Sequence, residues 1–348
     1  MSNYPLGIIE GFYGRQWSWA ERHSMAGFLA AAGYSHYLYA PKGDASLRSQ
    51  WREPFDDLSE LRSLAAACHE HGLAFGVGLS PMGLQIRYTD ADRKLLAARV
   101  GELSSIGLDV LWVLFDDMRG DLTGIATTQC QVMADVRAMF DGQLAVCPSY
   151  YSFDPVLDEV FGQRPPGYLE QLAAGLCDPI DILWTGNQVV SPAISPEDCQ
   201  RFTEKTGRKP LLWDNYPVND GRKTSPFLHL APFAGRAGLK PVSAGHFANP
   251  MNQPNLSKIP LSTLPALVDG YTDEAVLMGR VLAQLPEGLS RLIARDSQRF
   301  QSEGLDAICA DDKQALKRDY QQIEHPMADE VVDWLGGGYV FDPDCLTG

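Results

Sequence analysis

The chain has 348 residues, 45% of them hydrophobic, with 44 acidic against 29 basic side chains and a formal net charge of −15. That hydrophobic content can bury a sizeable core and excludes a disordered chain. A surface so acidic repels phosphate backbones and anionic lipids, so neither nucleic acid nor a membrane is expected as a partner. The seven cysteines are odd in number and scattered without a C-x-x-C pair, which argues against a disulfide framework and against structural zinc. No apolar run reaches the roughly 18 residues of a membrane span. Met1-Ser2-Asn3-Tyr4-Pro5 shows no basic stretch leading into an apolar one, so no signal peptide is read and a cytoplasmic protein is expected.

Along the chain, short apolar runs alternate with longer segments of helical period. Strands are predicted over 6–10, 36–40, 74–79, 110–115, 144–147, 181–184, 210–213 and 242–247, and helices over 18–32, 58–71, 90–106, 127–140, 166–176 and 195–205. The connection after Asn219 holds Gly and Pro and few periodic apolar residues, so its helix is predicted short and weak. Strands alternating with crossovers indicate a parallel sheet. Runs such as Leu111-Trp112-Val113-Leu114-Phe115 are apolar without alternation, as strands buried on both faces are. An open doubly wound sheet has the same alternation; the length suits an α/β fold of (β/α)8 barrel type, about 250 residues, with an appendage. The barrel is read as 1–268, up to the break Asp269-Gly270. Thr272 then caps a new helix, with Asp273 and Glu274 at its positive end. Helices are predicted over 273–302 and 310–323, before a loose tail marked by Gly336-Gly337-Gly338 and Pro343, so 269–348 reads as a small C-terminal helical region.

Such a barrel does its chemistry at the C-terminal ends of its strands. Those ends run into Glu10-Gly11-Phe12-Tyr13-Gly14-Arg15, Pro41-Lys42-Gly43-Asp44, Asp116-Asp117, Pro148-Ser149-Tyr150-Tyr151, Trp213-Asp214-Asn215 with Asn219-Asp220, and Asn249-Pro250. A purely structural barrel has no need for this collection on one rim. Asp116 and Asp117 end an apolar run, where water is scarce and two close carboxyl groups do not both ionise readily. That poises a general acid beside a fixed negative charge; the plain alternative is a helix cap or a solvated loop. Sequence neighbours are badly placed to flank a sugar across the roughly 5–5.5 Å of an ordinary retaining pair, and they suit substrate assistance better. There the substrate's 2-acetamido oxygen attacks C1, one Asp accepts the acetamido N–H, and the other protonates the leaving oxygen and then activates water. Trp213 offers an apolar face to a pyranose or an N-acetyl methyl, or is simply core. Lys42, Asn215, Asp220 and Asn249 are the mixed donors and acceptors that sugar hydroxyls require, or loop residues making turns. Gly11 permits a tight turn or the close approach of a ligand to the backbone.

Taken in order, Gly7-Ile8-Ile9-Glu10-Gly11-Phe12-Tyr13-Gly14-Arg15, Tyr39-Ala40-Pro41-Lys42, Trp51-Arg52-Glu53, Leu114-Phe115-Asp116-Asp117, Cys147-Pro148 with Tyr151, Leu183-Trp184-Thr185-Gly186, Trp213-Asp214-Asn215 with Asn219-Asp220, and Asn249-Pro250 resemble glycoside hydrolase family 84, the O-GlcNAcase and bacterial β-N-acetylglucosaminidase family. The resemblance covers roughly residues 6–268. It implies a retaining exo-β-N-acetylglucosaminidase that removes terminal β-GlcNAc through an oxazoline, with Asp116 polarising the acetamido group and Asp117 as general acid/base. Gly11, Lys42, Asn215, Asp220 and Asn249 are implied to bind the sugar hydroxyls or acetamido group, Tyr151 to bond near the developing oxazoline, and Trp213 to line the N-acetyl pocket with Cys147 nearby. No metal or organic cofactor is implied, and the partner is a β-GlcNAc-bearing glycoconjugate or glycoprotein.

The chain departs from the family pattern at Gly43, where a second acidic residue often follows the Pro-Lys pair, and at Ser149-Tyr150, where Thr-Glu is common; both are expected to alter the rim. Its C-terminal helices are short beside the stalks many members carry. The competing readings are an inactive GlcNAc-binding homologue, a hyaluronidase-type activity and a metal-dependent hydrolase. The last wants His at strand ends, whereas the His cluster, His69-Glu70-His71, falls at a predicted helix C-terminus.

Overall fold

Strands that are apolar on both faces need cover inside and out, and a sheet closed on itself within a ring of helices supplies both. In the computed structural model of the chain, residues 4–339 and 341–347 are described. Met1, Ser2 and Asn3, on which the leader reading partly rests, lie outside the described residues, as do Val340 and Gly348 of the tail. The strands are β1 (Leu6–Glu10), β2 (His36–Tyr39), β3 (Ala74–Leu79), β4 (Val110–Leu114), β5 (Gln143–Cys147), β6 (Asp181–Trp184), β7 (Leu211–Asp214) and β8 (Gly245–Ala248). They form a closed barrel in chain order, and β1 pairs in parallel with β8 from Leu6↔His246 to Ile8↔Ala248. Every residue of β1, β2, β4, β7 and β8 is buried. Inside, Trp112 and Phe247 meet edge to face with centroids 4.7 Å apart. A Cβ on Gly7 would stand 2.5 Å from the Phe247 ring, so the small residue is what admits the large one at interior packing density.

The outer ring is α1 (Trp19–Ala32), α2 (Ser59–Glu70), α3 (Asp90–Ser104), α4 (Ile125–Met139), α5 (Val156–Phe161), α6 (Tyr168–Gly175) and α7 (Pro196–Thr206). Ser18, Thr89 and Ser195 cap α1, α3 and α7, each in a reciprocal box with the acid three residues on, a device worth about 1 kcal/mol per cap. The weak helix predicted between β7 and β8 is not formed among the described residues. Pro226, Pro232 and Pro241 fall in that stretch and remove helix donors. Arg236 pins it instead, donating to both Asp214 oxygens and to the Ser191 and Ala234 carbonyls.

After β8 come α8 (Pro254–Leu261) and α9 (Leu264–Val268), then α10 (Glu274–Leu282), α11 (Glu287–Ser302), α12 (Gly304–Ala307), α13 (Ala310–Tyr320) and α14 (Pro326–Leu335). The helix predicted over 273–302 is broken before Pro286, the cap of α11, where proline's missing N–H ends the ladder. The helix α14 lies where none was predicted. A second core joins Phe300, Tyr320 and Trp334 to Leu228, Leu230, Met251, Leu256 and Ile259, so the C-terminal helices pack against the connections around β8. Glu330 of α14 accepts from the Asn255 and Leu256 N–H groups at 2.9 and 2.7 Å, satisfying donors that the start of α8 leaves open. Among the described residues no helix is long and apolar enough to cross a membrane.

Candidate active site

The apolar run of β4 continues through buried Phe115 and delivers Asp116 and Asp117 to the C-terminal mouth. Successive residues of an extended strand face opposite ways, so two adjacent carboxylates share a pocket only if the chain turns between them. It does: Asp117 has φ 55°, and it is the non-glycine residue with positive φ among the described residues. Asp and Asn tolerate that region better than most residues, at a cost of about 1–3 kcal/mol. As a result Lys42 reaches both side chains: its Nζ pairs with Asp116 Oδ2 and stands 3.7 Å from Asp117 Oδ2.

The two carboxylates are served differently. Asp116 is 5% exposed, and its Oδ1 is buried with no hydrogen-bond partner among the described residues. A buried acceptor left so costs about 1–3 kcal/mol, a cost that a donor arriving with a ligand removes. Asp117 accepts from the Tyr13 hydroxyl at 2.7 Å on Oδ2 and from the Tyr151 hydroxyl at 3.0 Å on Oδ1. Burial, and then the charge on Asp117, holds both phenols well above their ordinary range, so they stay protonated and donate. Arg48 braces this arrangement from outside, donating to the Tyr13 hydroxyl at 3.3 Å and to the Lys42 carbonyl at 3.1 Å.

The lining of the pocket above the pair includes Gly11, Lys42, Asp116, Asp117, Tyr151, Trp213, Asn215, Asp220 and Asn249, so every site residue singled out in the sequence faces it. A relay of amides ties the ends of β7, β8 and β1 together. Asn215 Oδ1 accepts from Trp213 Nε1 and from Asn249 Nδ2, both at 2.9 Å, Asn215 Nδ2 donates to the Val189 carbonyl at 2.8 Å, and Asn249 Oδ1 accepts from Gly11 N–H at 3.2 Å. Gly11 is small for a reason other than a ligand: a Cβ there would stand 2.3 Å from the Trp213 ring. Asp220 accepts from Tyr13 N–H at 2.7 Å. Burial pushes its carboxyl up to about 6 against the pull of that N–H, with Asp117 adding to the rise.

Not every polar strand end belongs to the site. Glu10 is fully buried beneath it, taking Arg22 Nε at 2.9 and 3.1 Å and the Tyr37 hydroxyl at 2.7 Å. Asp214 is likewise consumed by Arg236 and His246. His69 pairs with Asp109, which precedes β4 at the far end of the barrel. Of the two departures from the family pattern, Gly43 lines a cleft beside Asp117, whereas Ser149 and Tyr150 face backwards. The Ser149 N–H donates to the Tyr168 hydroxyl, and the Tyr150 hydroxyl donates to the Gly162 carbonyl. Beyond the end of β5, Tyr151 turns to Asp117 while Tyr150 turns away.

The pocket also takes in Tyr13, Cys147, Thr185, Val189, Val190, Val218, Cys345 and Thr347. Tyr13 belongs to the motif that follows β1, where nothing in the residue pattern marks it for a role, and Cys147 is the residue that the family resemblance implies near the N-acetyl pocket. The three valines come from loops and carry no chemical signature, and Cys345 and Thr347 arrive from the segment read as a loose tail.

The chain matches the beta-N-acetylglucosaminidase family over residues 6–272. It is 28% identical over 275 residues to the protein O-GlcNAcases of Rattus norvegicus and Mus musculus, covering 75% of this chain and 29% of each of theirs. The chain thus spans less than a third of those relatives' length. It superposes on an Asp-to-Asn mutant of the Thermobaculum terrenum O-GlcNAc hydrolase with TM-score 0.79 and 27% identity, covering 96% of this chain and 81% of that one. On CpGH84B the TM-score is 0.77 at 22% identity, covering 96% and 66%, a likeness of fold. The family match runs through all eight strands and the whole of the pocket's barrel lining, and the chain belongs to the β-N-acetylglucosaminidases of glycoside hydrolase family 84.

Proposed function

We propose that the protein is a retaining exo-β-N-acetylglucosaminidase that releases terminal β-linked GlcNAc from glycoconjugates by substrate assistance. The observation that carries this reading is the buried Oδ1 of Asp116, which has no hydrogen-bond partner among the described residues, while the other oxygen is held by Lys42. Oδ1 is an acceptor at the floor of a pocket, and a 2-acetamido N–H is a donor of the right kind. Accepting that N–H raises the electron density on the acetamido oxygen, which attacks C1 as the C1–O bond to the leaving group breaks. Asp117 gives its proton to the departing oxygen. Water then adds to C1 as the C1–O bond of the oxazoline opens, and Asp117 takes the water's proton. Two displacements at C1 return the β configuration. The phenols of Tyr13 and Tyr151 orient Asp117 and steady its charge between the two steps. Trp213 and the amide relay suit the N-acetyl and hydroxyl groups of one terminal sugar. The relatives described as protein O-GlcNAcase and O-GlcNAc hydrolase make β-GlcNAc on Ser or Thr the first natural linkage to try.

The test is turnover of an aryl β-N-acetylglucosaminide followed by NMR, beside the matching aryl β-glucoside. The expected result is β-GlcNAc as the first-formed product and no measurable turnover of the glucoside. First-formed α product, or equal turnover of the sugar lacking the acetamido group, overturns the mechanism.

A further inference from the structure

The chain's own C-terminal segment lies beside Asp117, the group proposed above to protonate the leaving oxygen. Beyond α14, the Phe341 ring sits under the Arg222 guanidinium at 4.4 Å. A turn follows, with Cys345 N–H donating to the Asp342 carbonyl at 3.0 Å and Asp344 N–H to Asp342 Oδ1 at 3.0 Å; Pro343 presets its geometry. From there the segment alternates. Cys345 and Thr347 are half-buried and line the sugar pocket, while Asp344 and Leu346 are exposed and line the cleft beside it. That is how an extended peptide lies on a surface.

Three features make this more than a passive tail. Thr347 approaches the Tyr151 hydroxyl in the sugar pocket, the same group that donates to Asp117. Leu346 borders two clefts beside Asp117, one with Tyr13, Arg48 and Met82 and the other with Arg119 and Phe161. Leu346 is 60% exposed, and the segment is seated in the site without being part of either core.

We infer that residues 341–347 form a strap that occupies the leaving-group side of the site as an internal peptide, with the Thr347 hydroxyl standing where a peptide aglycone presents its own hydroxyl, so that substrate binds when the strap lifts. This rests on the glycosidase reading above. Because the strap competes with substrate, apparent affinity falls by the fraction of molecules in which it is lifted. A strap seated in nine molecules of ten weakens binding about tenfold.

The experiment compares the full chain with three variants: Phe341→Ala, Arg222→Ala and a chain truncated after Tyr339. The readouts are KM and kcat on 4-methylumbelliferyl β-N-acetylglucosaminide and the Kd of a GlcNAc-thiazoline, an oxazoline mimic. The expected result is that KM and Kd fall together, about threefold to tenfold, in the point variants and further in the truncated chain. A synthetic peptide of residues 341–347 then raises the KM of the truncated chain competitively. The point variants keep the test informative should truncation impair folding. Unchanged KM and Kd overturn the strap alone. A raised KM also overturns it, showing a segment that completes the site. Absence of both turnover and thiazoline binding in every form overturns the glycosidase reading and the strap with it.

Discussion

Asp116 and Asp214 invite comparison. Each stands at the C-terminal end of a barrel strand, each is at most 5% exposed, and each carries a basic partner. Asp214 is finished. Arg236 donates to both of its oxygens at 2.8 and 2.9 Å, and His246 Nε2 lies 2.9 Å from one of them. Burial alone would raise its carboxyl, but Arg236 and then His246 outweigh burial and hold it well below the usual carboxylate range. Asp116 has one oxygen paired and the other without a hydrogen-bond partner among the described residues. A closed network is what a scaffold needs, because every unmet bond in low dielectric costs stability. A network left one donor short is what a binding site needs, because the missing donor can then arrive with the substrate.

Substitution should therefore pull the two carboxylates apart. Asp116→Asn and Asp117→Asn are expected to lower kcat/KM by about 10²–10⁴-fold, with a smaller loss of stability than at Asp214, because Lys42 stands near both carboxylates and keeps one of them in either variant. Asp214→Asn breaks a buried ion pair and should cost about 3–5 kcal/mol of stability, read as a lowered midpoint in urea, while the folded fraction keeps most of its turnover. An Asp214→Asn protein of normal stability but no activity breaks the comparison, and so does an Asp116→Asn protein that fails to fold.

That distinction is where the residue pattern stops being legible. The pair Asp116-Asp117 is readable because an uninterrupted apolar run ends on it, which fixes its place at a barrel mouth. The strands themselves are readable for the same reason: burial on both faces leaves near-continuous apolar runs, and only their ends drift by a residue or so, apart from a late β8. Glu10 and Asp214 carry the same signature as the site residues. Whether a strand-end side chain faces the pocket or the layer behind it depends on which partner waits there, Arg22 and Arg236 in these cases, and those partners are remote in sequence. The segment between β7 and β8, α14 and the approach of Thr347 to Tyr151 are decided by tertiary contacts of the second core and the rim. No local period encodes them.

Within the site, a milder test concerns how Asp117 is held. Tyr13→Phe removes a hydrogen bond to a charged group, worth about 1.5–3 kcal/mol, so kcat should fall roughly 10–100-fold. Fold stability should fall by no more than that one bond, since the ring and its packing remain. An unchanged kcat would mean that Tyr151 alone suffices to orient the acid/base.

The smallest effect sharpens the comparison most, because one residue is asked to serve both ends. Asp220 lies in the pocket, yet its carboxyl is pushed up to about 6, mainly by burial. Binding sugar hydroxyls calls for the ionised form, which accepts. As pH falls through about 6, kcat/KM should drop along an acid limb set by this group in the free enzyme, and Asp220→Asn should remove that limb at the cost of a lower plateau. Stability runs the other way. A carboxyl whose folded value is raised contributes stability that is fully present below its unfolded value and is lost as pH rises through about 6. Relative to Asp220→Asn, the wild-type chain should thus lose on the order of 1–3 kcal/mol between pH 4 and pH 8, measured as the difference between their two stability–pH curves. If both quantities instead moved together with pH, Asp220 would belong with Asp214, as a finished part of the scaffold, and the acid limb would have to come from another group.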